Sequence, residues 1–156
     1  MARRNEILAK YKPGKENLLL ILHDIQNTCP EQYISTEDIV EVAKYLNITF
    51  SSVYGVITYY SMFSLKPRGR YIIRVCNSPV CEMDNSGNIL IQLKKILGIE
   101  IGETTPDGLF TLETTECLGQ CADSPGMLVN RRFFGNLDTV YLKKILDEIK
   151  TGENDI

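Results

Sequence analysis

Apolar residues recur every three or four positions through the first third of the chain and then fall into alternating runs, which predicts helices first and strands later. Residues 3–27 predict a helix broken near Pro13-Gly14. Beyond the break, Leu18, Leu19, Ile21, Leu22 and Ile25 form a broad apolar stripe at helical spacing. Ser35 followed by Asp38 predicts a capping box for a second helix, Ser35 to Leu46, with Ile39, Val40, Val42, Ala43 and Leu46 inward. Asn47 is suited to the left-handed end of that helix. Thr49 or Ser51 is placed to cap a third helix, SSVYGVITYYSMF, whose Tyr54, Tyr59, Tyr60 and Phe63 read as core.

Pro67 and Gly69 stop the helical pattern, and YIIRV (71–75) is strand-like. A turn over 84–87 precedes a helix NILIQLKKILG, capped by Asn88 or Ser86, with Ile89, Leu90, Leu93, Ile96 and Leu97 inward. Ile99 to Gly102 reads as a short extended piece and Thr105 to Gly108 as a turn. Leu109 to Thr115 alternates as a strand, and Met127 to Asn130 makes a short one. Arg131 to Gly135 reads as a hairpin edge. Leu137 to Lys150 is an amphipathic helix with Val140, Leu142, Ile145, Leu146 and Ile149 buried, and 151–156 a frayed tail. The expected division is a helical domain over 1–67 and a small α/β domain over 68–156.

Composition narrows the class. The 156 residues are 44% apolar and 24% charged, as in a soluble globular protein. No apolar run approaches the roughly 20 residues of a membrane span, so no direct membrane insertion is expected. No secretory signal is visible, and the cytoplasm is the expected location. Net charge is −3, with the acidic excess confined to residues 68–156. Glu82, Asp84, Glu113, Glu116 and Asp123 surround the cysteines, which suits a positive or mixed protein surface. It argues against nucleic acid, which needs clustered Lys and Arg. No phosphate loop and no dinucleotide fingerprint is present.

Four of the five cysteines form two motifs, Cys76-x4-Cys81 and Cys117-x3-Cys121, each at the end of an expected strand. Four thiolates hold a [2Fe–2S] cluster, two per iron, or one structural zinc; redox-active thiols without metal are the third possibility. The spacing favours iron over zinc, whose knuckles usually have two residues between cysteines. Assigning 76/81 to one iron and 117/121 to the other is the simplest pairing. Pro79, Gly119, Pro125 and Gly126 shape the loops. Cys29 reads as a buried structural thiol. His23, the only histidine, reads as an ordinary boundary residue. No acid/base pair suggests bond-breaking catalysis.

The motifs CNSPVC, ECLGQCADSPGM and TTPDGLFTLETTEC, with VYGVITYYSMFSLKPRGRY, resemble the small [2Fe–2S] subunit of NADH dehydrogenase (complex I). They equally resemble its relatives in NAD-linked or electron-bifurcating hydrogenases and formate dehydrogenases. The resemblance runs from about residue 15 to 150 and implies a thioredoxin-like α/β domain preceded by a small N-terminal helical domain. It implies Cys76, Cys81, Cys117 and Cys121 as ligands of one [2Fe–2S] cluster. It also implies a hetero-oligomeric complex with an FMN- and NAD(H)-binding flavoprotein subunit, further Fe–S clusters and larger catalytic subunits. The chain would then be a non-catalytic redox subunit exchanging single electrons with the partner's FMN. A stand-alone thioredoxin-like ferredoxin and a zinc-stabilised interaction module are the alternatives. The family usually has glycine four residues after the second cysteine; here Asn85 and Ser86 precede Gly87, and Asn tolerates the left-handed conformation.

Overall fold

The computed structural model describes residues 2–152, with side chains from Arg4 onward. The chain divides into two compact units, Met1–Arg68 and Gly69–Ile156, each with its own apolar core.

The first unit is helical: α1 (Ala2–Ala9), a 3-10 turn at Lys15–Asn17, α2 (Leu18–Thr28), α3 (Thr36–Leu46) and α4 (Phe50–Tyr59). The break at Pro13-Gly14 separates α1 from α2 as the sequence predicts. At the start of α3, the Asp38 N–H donates to Ser35 Oγ (3.2 Å) and the Ser35 N–H donates to Asp38 Oδ2 (3.0 Å), completing the capping box. Asn47 ends the helix at φ 52°. Thr49 caps α4 by accepting from the Ser52 N–H (3.1 Å).

Helix α4 stops at Tyr59 rather than reaching Phe63. A buried side chain on α2 accounts for the early end. Gln26 Nε2 donates to the Met62 carbonyl (2.8 Å), and the Ser64 N–H donates to Gln26 Oε1 (2.8 Å). Both backbone groups are drawn out of a helical pattern, and the buried amide is satisfied in return. The aromatic stripe is corrected with it. Tyr59 is 81% exposed, and Tyr54 and Tyr60 are also exposed; Phe63 alone of the four is core. Cys29 is only half-buried, and half-buried His23 packs its ring against Phe63 at 4.8 Å.

The second unit is a four-stranded sheet in the order β2-β1-β3-β4: β1 (Tyr71–Cys76), β2 (Phe110–Thr115), β3 (Met127–Val129) and β4 (Arg132–Phe134). Strands β1 and β2 run parallel with Tyr71 opposite Phe110 and Cys76 opposite Thr115. Strand β3 pairs antiparallel with β1 and with β4. The parallel pair requires a crossover, supplied by α5 (Pro79–Met83) and α6 (Ser86–Leu97). Tyr71, Ile73 and Val75 alternate onto one face of the sheet. There they share a core with Phe110, Leu112, Leu93 of α6, and Leu142 and Ile145 of α7 (Thr139–Thr151). Each such fully buried side chain contributes roughly 1.5–3 kcal/mol. Asp138 caps α7 through the Tyr141 N–H (2.7 Å).

Several local expectations change. Residues 79–83 form a short helix in place of the loop around Cys81. Helix α6 begins at Ser86 behind Asn85, which sits at φ 75° and makes no side-chain cap. Left-handed backbone at the helix entrance removes Asn88 and Ser86 as caps. Ile99–Gly102 is a turn, with Gly102 at φ 84° and the Glu100 N–H donating to the Glu103 carboxylate (2.8 Å). Val140, in the first turn of α7, is 79% exposed rather than buried. Of the expected tail, Thr151 is helical, Gly152 is the left-handed cap, and 153–156 lie outside the described residues.

Candidate metal centre

Parallel pairing in register places the C-terminal ends of β1 and β2 side by side. Cys76 is the last residue of β1, and Cys117 follows the end of β2 by two residues. Cys81 lies on α5 and Cys121 opens a 3-10 turn, Cys121–Asp123. All four sulfur-bearing residues line one concavity with Leu118, Gln120, Gly126 and Phe133. It encloses about 190 Å3 even counting space open to solvent, less than the roughly 300 Å3 at which organic-ligand sites begin. A small inorganic core fits; a flavin or nucleotide does not.

The thiols stand as two pairs. Cys117 and Cys121 sulfurs are 3.7 Å apart, the edge of a thiolate tetrahedron with metal–sulfur bonds of about 2.3 Å. Cys76 and Cys81 interact as the other pair. Among the described residues, no three His, Cys, Asp or Glu side chains form a group that could hold one metal ion. The pairs differ in setting: Cys76 and Cys81 are buried, Cys117 and Cys121 exposed.

Backbone N–H groups converge on the sulfurs. The Gly119 N–H donates to Cys117 Sγ (3.4 Å), across a turn in which Gly119 takes φ 77°. The Ser78 and Leu118 backbone lies beside Cys76, and the Gly126 backbone beside Cys81, each favouring the thiolate. Leu118 and Gly126 belong to the second loop, so the loops interlock. Burial pushes the Cys76 thiol up, but the donors to its sulfur, the Ser78 N–H foremost, outweigh burial and hold it below the ordinary value. Burial, and then the hydrogen bond with Cys76, raises Cys81. The hydrogen bond with Cys117, and then its charge, raises Cys121.

Further ties fix the loops. The Cys76 N–H donates to the Gly126 carbonyl (3.0 Å) and the Asn77 N–H to the Thr115 carbonyl (3.1 Å). Ser124 Oγ donates to Asp84 Oδ2, joining the second loop to the residue after α5. The Asn136 N–H reaches the Asp123 carbonyl (2.7 Å), and the Ser124–Pro125 peptide is cis. The acidic surround is thinner than the sequence suggests: Glu113 pairs with Arg74 across the strands (2.9 Å), while Glu82, Asp84, Glu116 and Asp123 are exposed.

The family profile described as thioredoxin-like [2Fe-2S] ferredoxin matches residues 4–150. The chain belongs to this family. Membership makes one [2Fe–2S] cluster the cofactor to test against the site, and four thiols in two pairs with N–H donors suit it. As a thioredoxin-like ferredoxin it is similar to the mitochondrial NADH dehydrogenase [ubiquinone] flavoprotein 2 of Dictyostelium discoideum, 34% identical over 98% of this chain and 62% of the relative. It is also similar to the HndA subunit of the NADP-reducing hydrogenase of Solidesulfovibrio fructosivorans, 35% identical over 87% and 79%. An NADH-quinone oxidoreductase subunit of Aquifex aeolicus is 39% identical over 87% and 84%. The chain thus spans about 62% of the length of the Dictyostelium relative. Among solved structures, an NAD+-reducing [NiFe]-hydrogenase shares the fold, with a TM-score of 0.76 at 19% identity over 89% of this chain and 23% of that one.

Sequence reasoning missed Ser78, Leu118, Phe133 and the Asp84–Ser124 tie. Backbone donors carry no side-chain signature, so Ser78 and Leu118 were not findable. Phe133, set between Gly126 and Gly135, left a trace in the glycine spacing.

Proposed function

We propose that Cys76 and Cys81 hold one iron of a [2Fe–2S] cluster and Cys117 and Cys121 the other. In this reading the chain is a non-catalytic electron-transfer subunit of an NAD(H)-linked flavoprotein oxidoreductase complex. When bound, the cluster supplies reversible one-electron storage. The observation that carries the reading is the two-pair arrangement of thiols at the ends of adjacent parallel strands. A single zinc needs four sulfurs around one point; two pairs meet the demand of two irons.

This chain's residues supply the anionic donors, the Gly119 N–H to Cys117, and the N–H groups of the adjoining backbone at Ser78, Leu118 and Gly126. Those N–H groups favour added negative charge at the sulfurs. The exposed rim of Glu82, Glu116 and Asp123 faces outward, which favours a partner surface of positive or mixed charge. The relatives are parts of NADH- and NADP-linked oxidoreductases and a hydrogenase, which supports a hetero-oligomeric complex; in this reading the partner binds FMN and NAD(H), with larger Fe–S and catalytic subunits beside it. Among the described residues no helix is long and apolar enough to cross a membrane. Five free thiols suit the reducing cytoplasm.

Anaerobic purification tests the reading. About two irons per chain and a rhombic EPR signal on reduction are expected, with a flavoprotein co-purifying. A colourless protein carrying stoichiometric zinc overturns the cluster assignment. A loaded chain that associates with no flavoprotein overturns the subunit assignment alone.

A further inference from the structure

Two glycines close on one aromatic ring beside the cysteines. A Cβ built at Gly126 would stand 2.7 Å from Phe133 Cε2 and 2.8 Å from Cζ. One built at Gly135 would stand 2.8 Å from Phe133 Cε1 and 2.6 Å from the Asp123 carbonyl oxygen. Those separations are closer than Cβ atoms tolerate. Neither glycine has a positive φ, so neither is required by its own backbone conformation. The ring and the adjoining backbone account for both, and they form a slot that seats the ring tip.

The seated ring is part of the cysteine site. Among the described residues Phe133 is the only aromatic one lining the concavity, and it is half-buried on the edge strand β4. Gly126, which meets the ring, is also the residue whose carbonyl accepts from the Cys76 N–H (3.0 Å), so its backbone braces the buried pair. Pushing the ring out of the slot would therefore admit water beside the buried pair and disturb the backbone that braces it.

We propose that Phe133 is a positioning residue that shields the cysteine site from water and thereby sets the reduction potential of the cluster, with Gly126 and Gly135 as the slot that holds it. This rests on the four cysteines being the cluster ligands. Reduction adds one electron to a site already negative, with no bond made or broken. Water stabilises the added charge, and an apolar ring in its place disfavours it. Removing the ring therefore makes reduction easier and raises the potential.

The test is an EPR-monitored titration of the full chain, purified anaerobically, with dithionite as the electron source and iron per chain measured in parallel. Phe133→Ala is expected to keep its iron and to shift the reduction equilibrium about tenfold toward the reduced form, about 59 mV for one electron. Gly126→Ala, by displacing the ring, is expected to shift it in the same direction. The double variant Phe133→Ala with Gly126→Ala is expected to shift no further than Phe133→Ala, because the added methyl then meets no ring. Should Phe133→Ala fail to load, Phe133→Leu, which shortens the shield without emptying the slot, decides by a smaller shift in the same direction. A fully loaded Phe133→Ala, or failing that a loaded Phe133→Leu, with an unmoved potential overturns the proposal. A wild-type chain without iron instead overturns the reading of the four cysteines.

Discussion

The two cysteine pairs share a chemistry and differ in everything that supports it. Cys76 and Cys81 stand on a strand end and a short helix and are 2% and 5% exposed. Cys117 and Cys121 stand on an open loop and a single 3-10 turn, and both are exposed. Regular elements fix the first pair because β1 is hydrogen-bonded on both sides, to β2 and β3. The second pair is fixed by what its loop reaches: the Gly126 carbonyl accepts from the Cys76 N–H, and Ser124 binds Asp84. One half of the site is therefore a rigid template, and the other half closes onto it.

The sharpest way to break this comparison is to replace one sulfur from each pair with oxygen. Cys81→Ser is expected to lose the cluster outright, since a buried ligand on a fixed helix has no room to adjust. Cys121→Ser is expected to retain a cluster with an altered EPR signal, because its loop can shift to the shorter ligand. Iron content and EPR of the two variants decide; equal loss from both shows that the exposed half is as rigid as the buried one.

Next in size is removal of the support beneath the template. Leu93, fully buried on α6, packs under β1. Leu93→Ala is expected to cost about 2–5 kcal/mol and to speed release of the cluster, read by denaturant unfolding and by bleaching of visible absorbance. The smallest effect concerns the tie between the halves. Asp84→Ala removes the acceptor for Ser124 and is expected to cost about 1 kcal/mol at this exposed position. Iron release to a chelator is still expected to quicken, because the closing loop loses an anchor. An unchanged release rate would leave the N–H donors to carry the closure alone.

Much of this site was legible from residue pattern because its parts are local. YIIRV and FTLETT read as strands, and each leads to its cysteines. Ser35 with Asp38 and Asn47 marked the ends of α3, since capping depends on residues within one turn. Asn85 was expected to accept a left-handed conformation and takes φ 75°. What was not legible depends on residues distant in sequence. The early end of α4 is decided by Gln26, more than thirty positions upstream. The exposure of Tyr54 and Tyr59 depends on which face of α4 meets α3. The unequal burial of the two cysteine pairs follows from α5, a helix too short for periodicity to reveal.

The pairing of Cys76 with Thr115 also decides what holds the site together. The halves of the site are distant along the chain and meet only through the crossover and the β1–β2 ladder. Closing so long a loop costs entropy that strand pairing and core burial offset, not the thiols. The sheet and its core, rather than the thiols, therefore hold the two halves together, with one pair sunk at the strand end and the other at the rim.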